Sequence, residues 1–294
     1  MKTFKTIWHH TFATVLAVGV PAVGFALGVA AVVLLTPPTP TTAVPRVSLE
    51  PTALLAKAAI IYDPTTRLVW YQKSANQELP LASITKLMTA QVVLGQKSAA
   101  TPITITAADL KPEGDWGLKP GQVVPLGELL RFGLTVSSND AIAAAAAAIG
   151  PDYVSQMNAE ASALGLSHTH FSNPTGLDVS TSIAGAYGSA YDVARLAAIF
   201  YKDHPDYLKE TSFSTGTLST ANGNLVAAAT AAPLGNVPGF IGGKTGYTDL
   251  AGGNLAVVFD VEPGHPLVVV VLGSTEEGRF DDIKALINAA RTAQ

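Results

Sequence analysis

No charged residue occurs between Thr11 and Leu35. A run of 25 such positions is long enough for an apolar helix to cross a bilayer, which takes about 20 residues. Lys2 and Lys5 precede the run, and no acidic residue occurs before Arg46. Positive charge at the N-terminal flank predicts a cytoplasmic N-terminus with everything after Leu35 outside. A cleaved signal peptide is the competing reading. Its apolar core is shorter, about 7–15 residues, and ends at a small-x-small site that is not evident here. Thr36 to Pro45 reads TPPTPTTAVP, a semi-extended proline-rich spacer. The expected organisation is therefore 1–35 as cytoplasmic tail and membrane anchor, 36–49 as linker and 50–294 as one extracytoplasmic domain.

The remainder is built to bury a core. The chain of 294 residues is 48% hydrophobic and 14% charged. From Arg46 onward it holds 16 basic and 22 acidic residues, a net charge of −6. No basic surface for nucleic acid is implied. Cysteine is absent, which removes disulfides, thiolate metal sites and cysteine nucleophiles.

Patterning in this domain changes along its length. Ala58–Tyr62 and Leu68–Tyr71, joined by Asp63-Pro64-Thr65-Thr66, predict a β-hairpin. Helical patterns follow from Ser83 to Gly95, Leu126 to Leu134, Asp140 to Ile149, Val154 to Leu164 and Tyr191 to Tyr201, the last capped near Ser189. Strand-type runs return at Gly239–Lys244, Gly253–Asp260 and Leu267–Gly273, the last two flanking a turn at Glu262-Pro263-Gly264. Phe280–Ala290 predicts a closing helix. Strands, a long helical insert, then strands and a helix predict an α+β fold: an antiparallel sheet flanked by helices, with a helical lobe at about 87–215.

Several chemistries fail on the residues. His168-Thr169-His170 lacks a third ligand in a metal-site pattern, so no metal is expected. No G-x-S-x-G elbow is present. Gly243-Lys244-Thr245 ends like a phosphate loop, but Pro238 stands where that loop needs its first glycine.

Ser83-Ile84-Thr85-Lys86 is different. A serine three residues before a lysine at a helix start places both side chains on one face. Burial or a neighbouring cation lowers a lysine pKa and leaves an amine able to take the serine proton. Helix-start N–H groups can meet a developing oxyanion. Alone this is a weak pattern, equally compatible with a capping serine and a surface lysine. It is followed, in order, by Ser137-Ser138-Asn139 and Lys244-Thr245-Gly246. S-x-x-K, S-x-N and K-T-G in that order are the signature of penicillin-binding proteins and class A β-lactamases. The chain has one S-x-x-K and one K-T-G; a second S-x-N, Ser74-Ala75-Asn76, lies before Ser83 and is out of order.

At these residues the chain resembles the serine D-alanyl-D-alanine carboxypeptidases, the low-molecular-mass penicillin-binding proteins. The likeness extends to Leu81–Met88, to Leu118–Gly121 through Asp140, to Met157–Leu166, to Thr169–Asp178 and to Gly243–Asp249, and covers roughly residues 50–292. It implies a β-lactamase/DD-peptidase-like fold and a penicillin-sensitive enzyme that removes the terminal D-alanine of peptidoglycan stem peptides without a cofactor. Ser83 is then the nucleophile, Lys86 its base and Ser137 the relay to the leaving group. Asn139 binds the substrate amide and helps fix Lys86. Lys244 and Thr245 take the terminal carboxylate, and Gly246 lets the strand approach. The N–H groups of Ser83 and Tyr247 form the oxyanion hole. The implied partners are the stem peptide, β-lactams as acylating inhibitors, and the membrane through the N-terminal helix.

A DD-endopeptidase cutting D-alanyl cross-links uses the same centre. A β-lactamase needs an added glutamate, and no E-x-x-L-N segment lies between Asn139 and Lys244. A non-catalytic wall-binding protein on this fold is the remaining reading. Two departures are visible. The middle residue of the second motif is Ser138 where the family usually has glycine. Many members also carry a C-terminal β-domain and anchor, in place of which the N-terminal span is expected to serve. Asn173 and Asp178 are expected to shape a loop, and Trp116 either lines the cleft or packs the insert.

Overall fold

The computed structural model describes residues 54–293 except Asp115. The candidate span Thr11–Leu35 and its linker lie outside the described residues. Among those described, no helix is long and apolar enough to cross a membrane.

The described residues begin with β1 (Ala58–Tyr62), β2 (Val69–Lys73) and β3 (Leu79–Pro80), then a 3-10 turn (Ala82–Thr85) leading into α1 (Lys86–Gln96). The insert follows: β4 (Pro102–Thr104), β5 (Val123–Pro125), α2 (Leu126–Thr135), α3 (Asn139–Ala147), α4 (Tyr153–Ala163), β6 (His170–Phe171), β7 (Ala186–Gly188), α5 (Ala190–Asp203) and α6 (Pro205–Glu210). Next come a hairpin, β8 (Thr215–Thr220) and β9 (Gly223–Ala228), and then β10 (Phe240–Thr248), β11 (Gly252–Glu262), β12 (His265–Ser274) and α7 (Gly278–Thr292).

The first and last strands of the described residues make one sheet. Its order is β10-β11-β12-β1-β2, and its pairs are antiparallel. Period two sorts the strand residues between faces. Ile60, Val258, Val268 and Val270 pack on the α1 and α5 side. Ile61, Val257, Val269 and Phe259 pack against Ile283, Leu286 and Ile287 of α7. Burial of both faces is why these strands read as unbroken apolar runs rather than alternating ones. A third cluster, including Leu129, Phe132, Ala141 and Leu218, fills the lobe; Trp116 packs there, edge-on to Phe132.

The expected α+β architecture is present, as is the expected cap: Ser189 Oγ accepts from Asp192 N–H at 3.1 Å. Several elements were not expected: α6, the β8–β9 hairpin, and the short strands β3 to β7. The hairpin had a signal in Asn222-Gly223, with Gly223 at φ +112°.

Candidate active site

The nucleophile turn is strained where it begins. Ala82, immediately before Ser83, has φ +48°, a left-handed conformation that a residue with a Cβ rarely adopts. Ser83 lies in the 3-10 turn, and the α-helix starts only at Lys86. The three-residue spacing brings Lys86 Nζ to 2.5 Å from Ser83 Oγ. Lys86 is fully buried, and its second partner is the Thr175 carbonyl at 2.9 Å. A hydroxyl and a carbonyl do not replace the hydration of an ammonium, so burial lowers the Lys86 pKa to about 7.

The second motif sits between α2 and α3. Ser137 has φ +65°, and its Oγ accepts from Lys244 Nζ at 2.8 Å. Ser138 has φ −59° and ψ 121°, an ordinary conformation that does not require glycine. It is fully buried and caps α3, its Oγ accepting from Ala141 N–H at 3.2 Å. Ser138 thus fits the turn that glycine usually occupies in this motif. Ser138→Gly is expected to cost only a few tenths of a kcal/mol, because glycine is itself a tolerated cap, whereas Ser138→Ala costs about 1 kcal/mol. Thermal melts of the two variants check this, with acylation of Ser83 unchanged in the glycine form.

Asn139 departs from expectation. Its Nδ2 donates to the Glu113 carbonyl at 2.5 Å, and its buried Oδ1 has no partner among the described residues. Lys86 donates instead to Ser83 and to Thr175. The expected Asn139–Lys86 contact is therefore corrected to one between Lys86 and the Thr175 carbonyl.

The third motif lies on β10, an edge strand. Lys244 is fully buried and also donates to the Thr245 carbonyl at 2.9 Å. Its pKa falls well below the usual lysine value through burial and through the positive charges of Lys86 and Arg279. A Cβ on Gly246 would stand 2.8 Å from the Leu81 carbonyl oxygen and 3.1 Å from Ser83 N, so only glycine lets β10 come this close to the nucleophile turn. The N–H of Gly243 points off the free edge to Thr211 Oγ1 at 2.8 Å. The register is unbroken from Gly242 to Thr248, so the two-residue period turns the N–H groups of Thr245 and Tyr247 to that same edge. Tyr247 is 45% exposed.

Three supports were not anticipated as parts of the site. Asn173 folds the loop before Gly176: its Oδ1 accepts from Thr175 N–H at 3.1 Å and Gly176 N–H at 2.7 Å. That loop aims the Thr175 carbonyl at Lys86, and Asp178 ties its far end to Thr248 Oγ1 at 3.0 Å. Asn254 Nδ2 donates to the Pro80 carbonyl at 2.8 Å and secures the approach to Ser83. Arg279 of α7, only 8% exposed, donates to the Gly246 carbonyl at 2.9 Å. Asn-Pro-Thr-Gly signals a turn but not what its carbonyl faces, and a lone arginine in a terminal helix carries no signal. Among the described residues, no cluster of three or more His, Cys, Asp or Glu is placed to hold a metal ion.

A family model described as D-alanyl-D-alanine carboxypeptidase matches residues 45–276. The D-alanyl-D-alanine carboxypeptidase DacF of Bacillus subtilis is 32% identical over 66% of this chain and 51% of its own length. This chain thus spans about half the length of that curated relative. A solved D-alanyl-D-alanine carboxypeptidase from Mycobacterium tuberculosis superposes with a TM-score of 0.73 at 28% identity, covering 81% of this chain and 91% of the other. Penicillin-binding protein D2 of Listeria monocytogenes, solved in its ampicillin-bound form, gives 0.71 at 29% identity, covering 83% and 98%.

Proposed function

The chain belongs to the D-alanyl-D-alanine carboxypeptidase family, peptidase S11, and from that membership we propose that it is a serine DD-carboxypeptidase acting on peptidoglycan stem peptides. The observation that carries the reading is the 2.5 Å contact between the Ser83 hydroxyl and a fully buried, carboxylate-free Lys86 amine.

Ser83 Oγ attacks the carbonyl of the penultimate D-alanine and gives its proton to Lys86. The oxyanion is met by the N–H groups of Ser83 and Tyr247. As the C–N bond breaks, the proton held by Lys86 returns through the Ser137 hydroxyl to the leaving D-alanine amine; the freed Lys86 amine then takes a proton from the attacking water and gives it to Ser83 Oγ as the acyl-serine hydrolyses. Lys244 and Thr245 receive the terminal carboxylate, with Arg279 adding positive charge behind Gly246. The arriving carboxylate favours the charged form of Lys244, reversing the effect of its burial. Asn139 serves the substrate amide. Its unpartnered Oδ1 supports this, since a buried acceptor left without a donor is unfavourable until a ligand supplies one. β-Lactams acylate Ser83 in the substrate's place. The charge-free Thr11–Leu35 segment and its lysine flank support an N-terminal membrane anchor with an extracytoplasmic catalytic domain.

The test is intact mass after incubation with penicillin, followed by assay of D-alanine release from a D-Ala-D-Ala peptide. One penicillin adduct on the parent, none on Ser83→Ala, and release by the parent alone are expected. Absence of an adduct with penicillin intact, or an adduct that survives Ser83→Ala, sinks the assignment.

A further inference from the structure

A second groove lies at the opposite end of the sheet from Ser83. It holds about 640 Å3 and opens between the β1–β2 turn and α5. Its walls present three phenol rings, Tyr62, Tyr191 and Tyr201, and three cationic side chains, Arg67, Arg195 and Lys202. Pro266, also in the groove, opens β12. Gly273 lies near the other end of that strand, where Asn254 links it to Pro80 beside the nucleophile turn. At the strand rise the two sites are roughly 20 Å apart.

The charges in this groove are not balanced internally. Among the described residues, none of the three cations makes an ion pair. Arg195 donates to the carbonyls of Gly165 and Leu164, at 2.8 and 2.6 Å, which leaves its charge uncompensated. Arg67 is exposed on a turn held at φ +62°. The neighbouring carboxylates face other partners. Asp63, 1% exposed, takes Thr65 N–H, Thr66 N–H and His265. Asp203 takes Gln91, and Asp260, whose charge is felt at Tyr201, accepts from Gly264 N–H. Three uncompensated cations around partly buried phenols are unusual in a domain of net charge −6. They suit a ligand with carboxylates for the cations and ring or stem surface for the tyrosines.

We propose that this groove is a second binding site for the wall polymer, holding the carboxylates of one stem peptide and its adjoining sugar while another stem of the same strand enters the Ser83 cleft. The ligand's identity rests on the function proposed above; the anion-binding character rests on the groove alone. Two engaged points on one strand raise the effective concentration of stems at Ser83 without any new contact in the cleft.

The test uses the full-length chain in detergent, carrying Ser83→Ala, with a free D-Ala-D-Ala peptide in excess to occupy the cleft. Binding is measured to soluble glycan strands bearing uncross-linked stems and to the same strands stripped of stems. Arg67→Gln/Lys202→Gln is the variant; Arg195 is left in place because it holds the 164–165 turn. Stem-bearing strands are expected to bind the variant about fivefold more weakly, with the parent's advantage shrinking as salt screens the charges. In the Ser83 form, release of D-alanine from a short peptide is expected to be unchanged by the two substitutions. Equal strand binding by parent and variant, equal binding of stripped strands, or loss of short-peptide turnover in the variant overturns the proposal. Failure of the parent to release D-alanine counts against the proposed function instead, and leaves the strand comparison standing as the test of the groove.

Discussion

Lys86→Met is expected to slow acylation of Ser83 by about 10²–10⁴-fold, the usual worth of a positioned general base. Methionine keeps the length and apolar stem of the side chain but cannot take the serine proton. In the parent, the Lys86 pKa of about 7 means that acylation rises with pH through that value as the amine becomes neutral. The variant's residual rate should lack this rise. The same substitution is expected to stabilise the fold. Lys86 has an ordinary pKa of 10.5 and a folded value of about 7, so between these the unfolded chain binds more protons. Stability therefore rises with pH across that window, and at neutral pH and below the fold bears the burden of burying an ammonium. Methionine removes that burden. Its melting temperature should exceed the parent's most below pH 7, and the difference should close as pH nears 10.5. Penicillin acylation rates and thermal melts across pH check both halves. A rate that keeps its rise near pH 7 exonerates Lys86 as the base, and a less stable variant at neutral pH contradicts the burial argument.

The site divides into parts that the sequence discloses and parts that it does not. Ser83 and Lys86 are readable because helical spacing fixes their separation within one short segment. The third motif is readable because Lys244-Thr245-Gly246 closes the strand-type run Gly239–Lys244. Ordering of the three motifs supplied what no single one did. The supports of the site lie in tertiary contacts that spacing does not encode. Thr175 reaches Lys86 across 89 residues of sequence, and Arg279 reaches Gly246 from the terminal helix. The resemblance placed Asn139 against Lys86, where the structure gives that position to the Thr175 carbonyl. Boundaries drifted for a related reason. Ser83 was expected to open an α-helix, but the strained Ala82 turns the chain first through a 3-10 segment. β10 runs four residues past Lys244, to Thr248, because pairing with β11 continues through the polar Thr245–Thr248 stretch. The β8–β9 hairpin has few buried side chains, so apolar periodicity was a poor guide even though its turn was marked.

Gly176 is where the remote loop and the nucleophile turn meet, and Gly176→Ala is expected to damage both stability and chemistry. Gly176 has φ +81°, and an added Cβ would stand 1.9 Å from the Ala82 carbonyl oxygen and 2.6 Å from Thr85 Oγ1. Neither neighbour is free to give way. The Ala82 carbonyl already accepts from Thr85 Oγ1 at 2.7 Å, and Ala82 is itself in a left-handed conformation. Relief must come from moving the loop outward, which draws the Thr175 carbonyl from Lys86, or from moving the turn, which displaces Ser83. The left-handed backbone alone costs an alanine about 1–2 kcal/mol. The steric term should bring the total to about 3 kcal/mol or more, a drop of roughly 6–12 °C in melting temperature for a domain of this size. Gly121→Ala separates the two contributions, because Gly121 has φ +83° but nothing within 4 Å of an added Cβ. Its melt should fall only by the backbone share, with acylation unaffected. Gly176→Ala should lose acylation as well, even at temperatures where it stays folded, since the group that holds Lys86 has been displaced. Equal melts for the two variants would show that the loop yields without strain, and full acylation by folded Gly176→Ala would show that the Thr175 carbonyl does not set the position of the base.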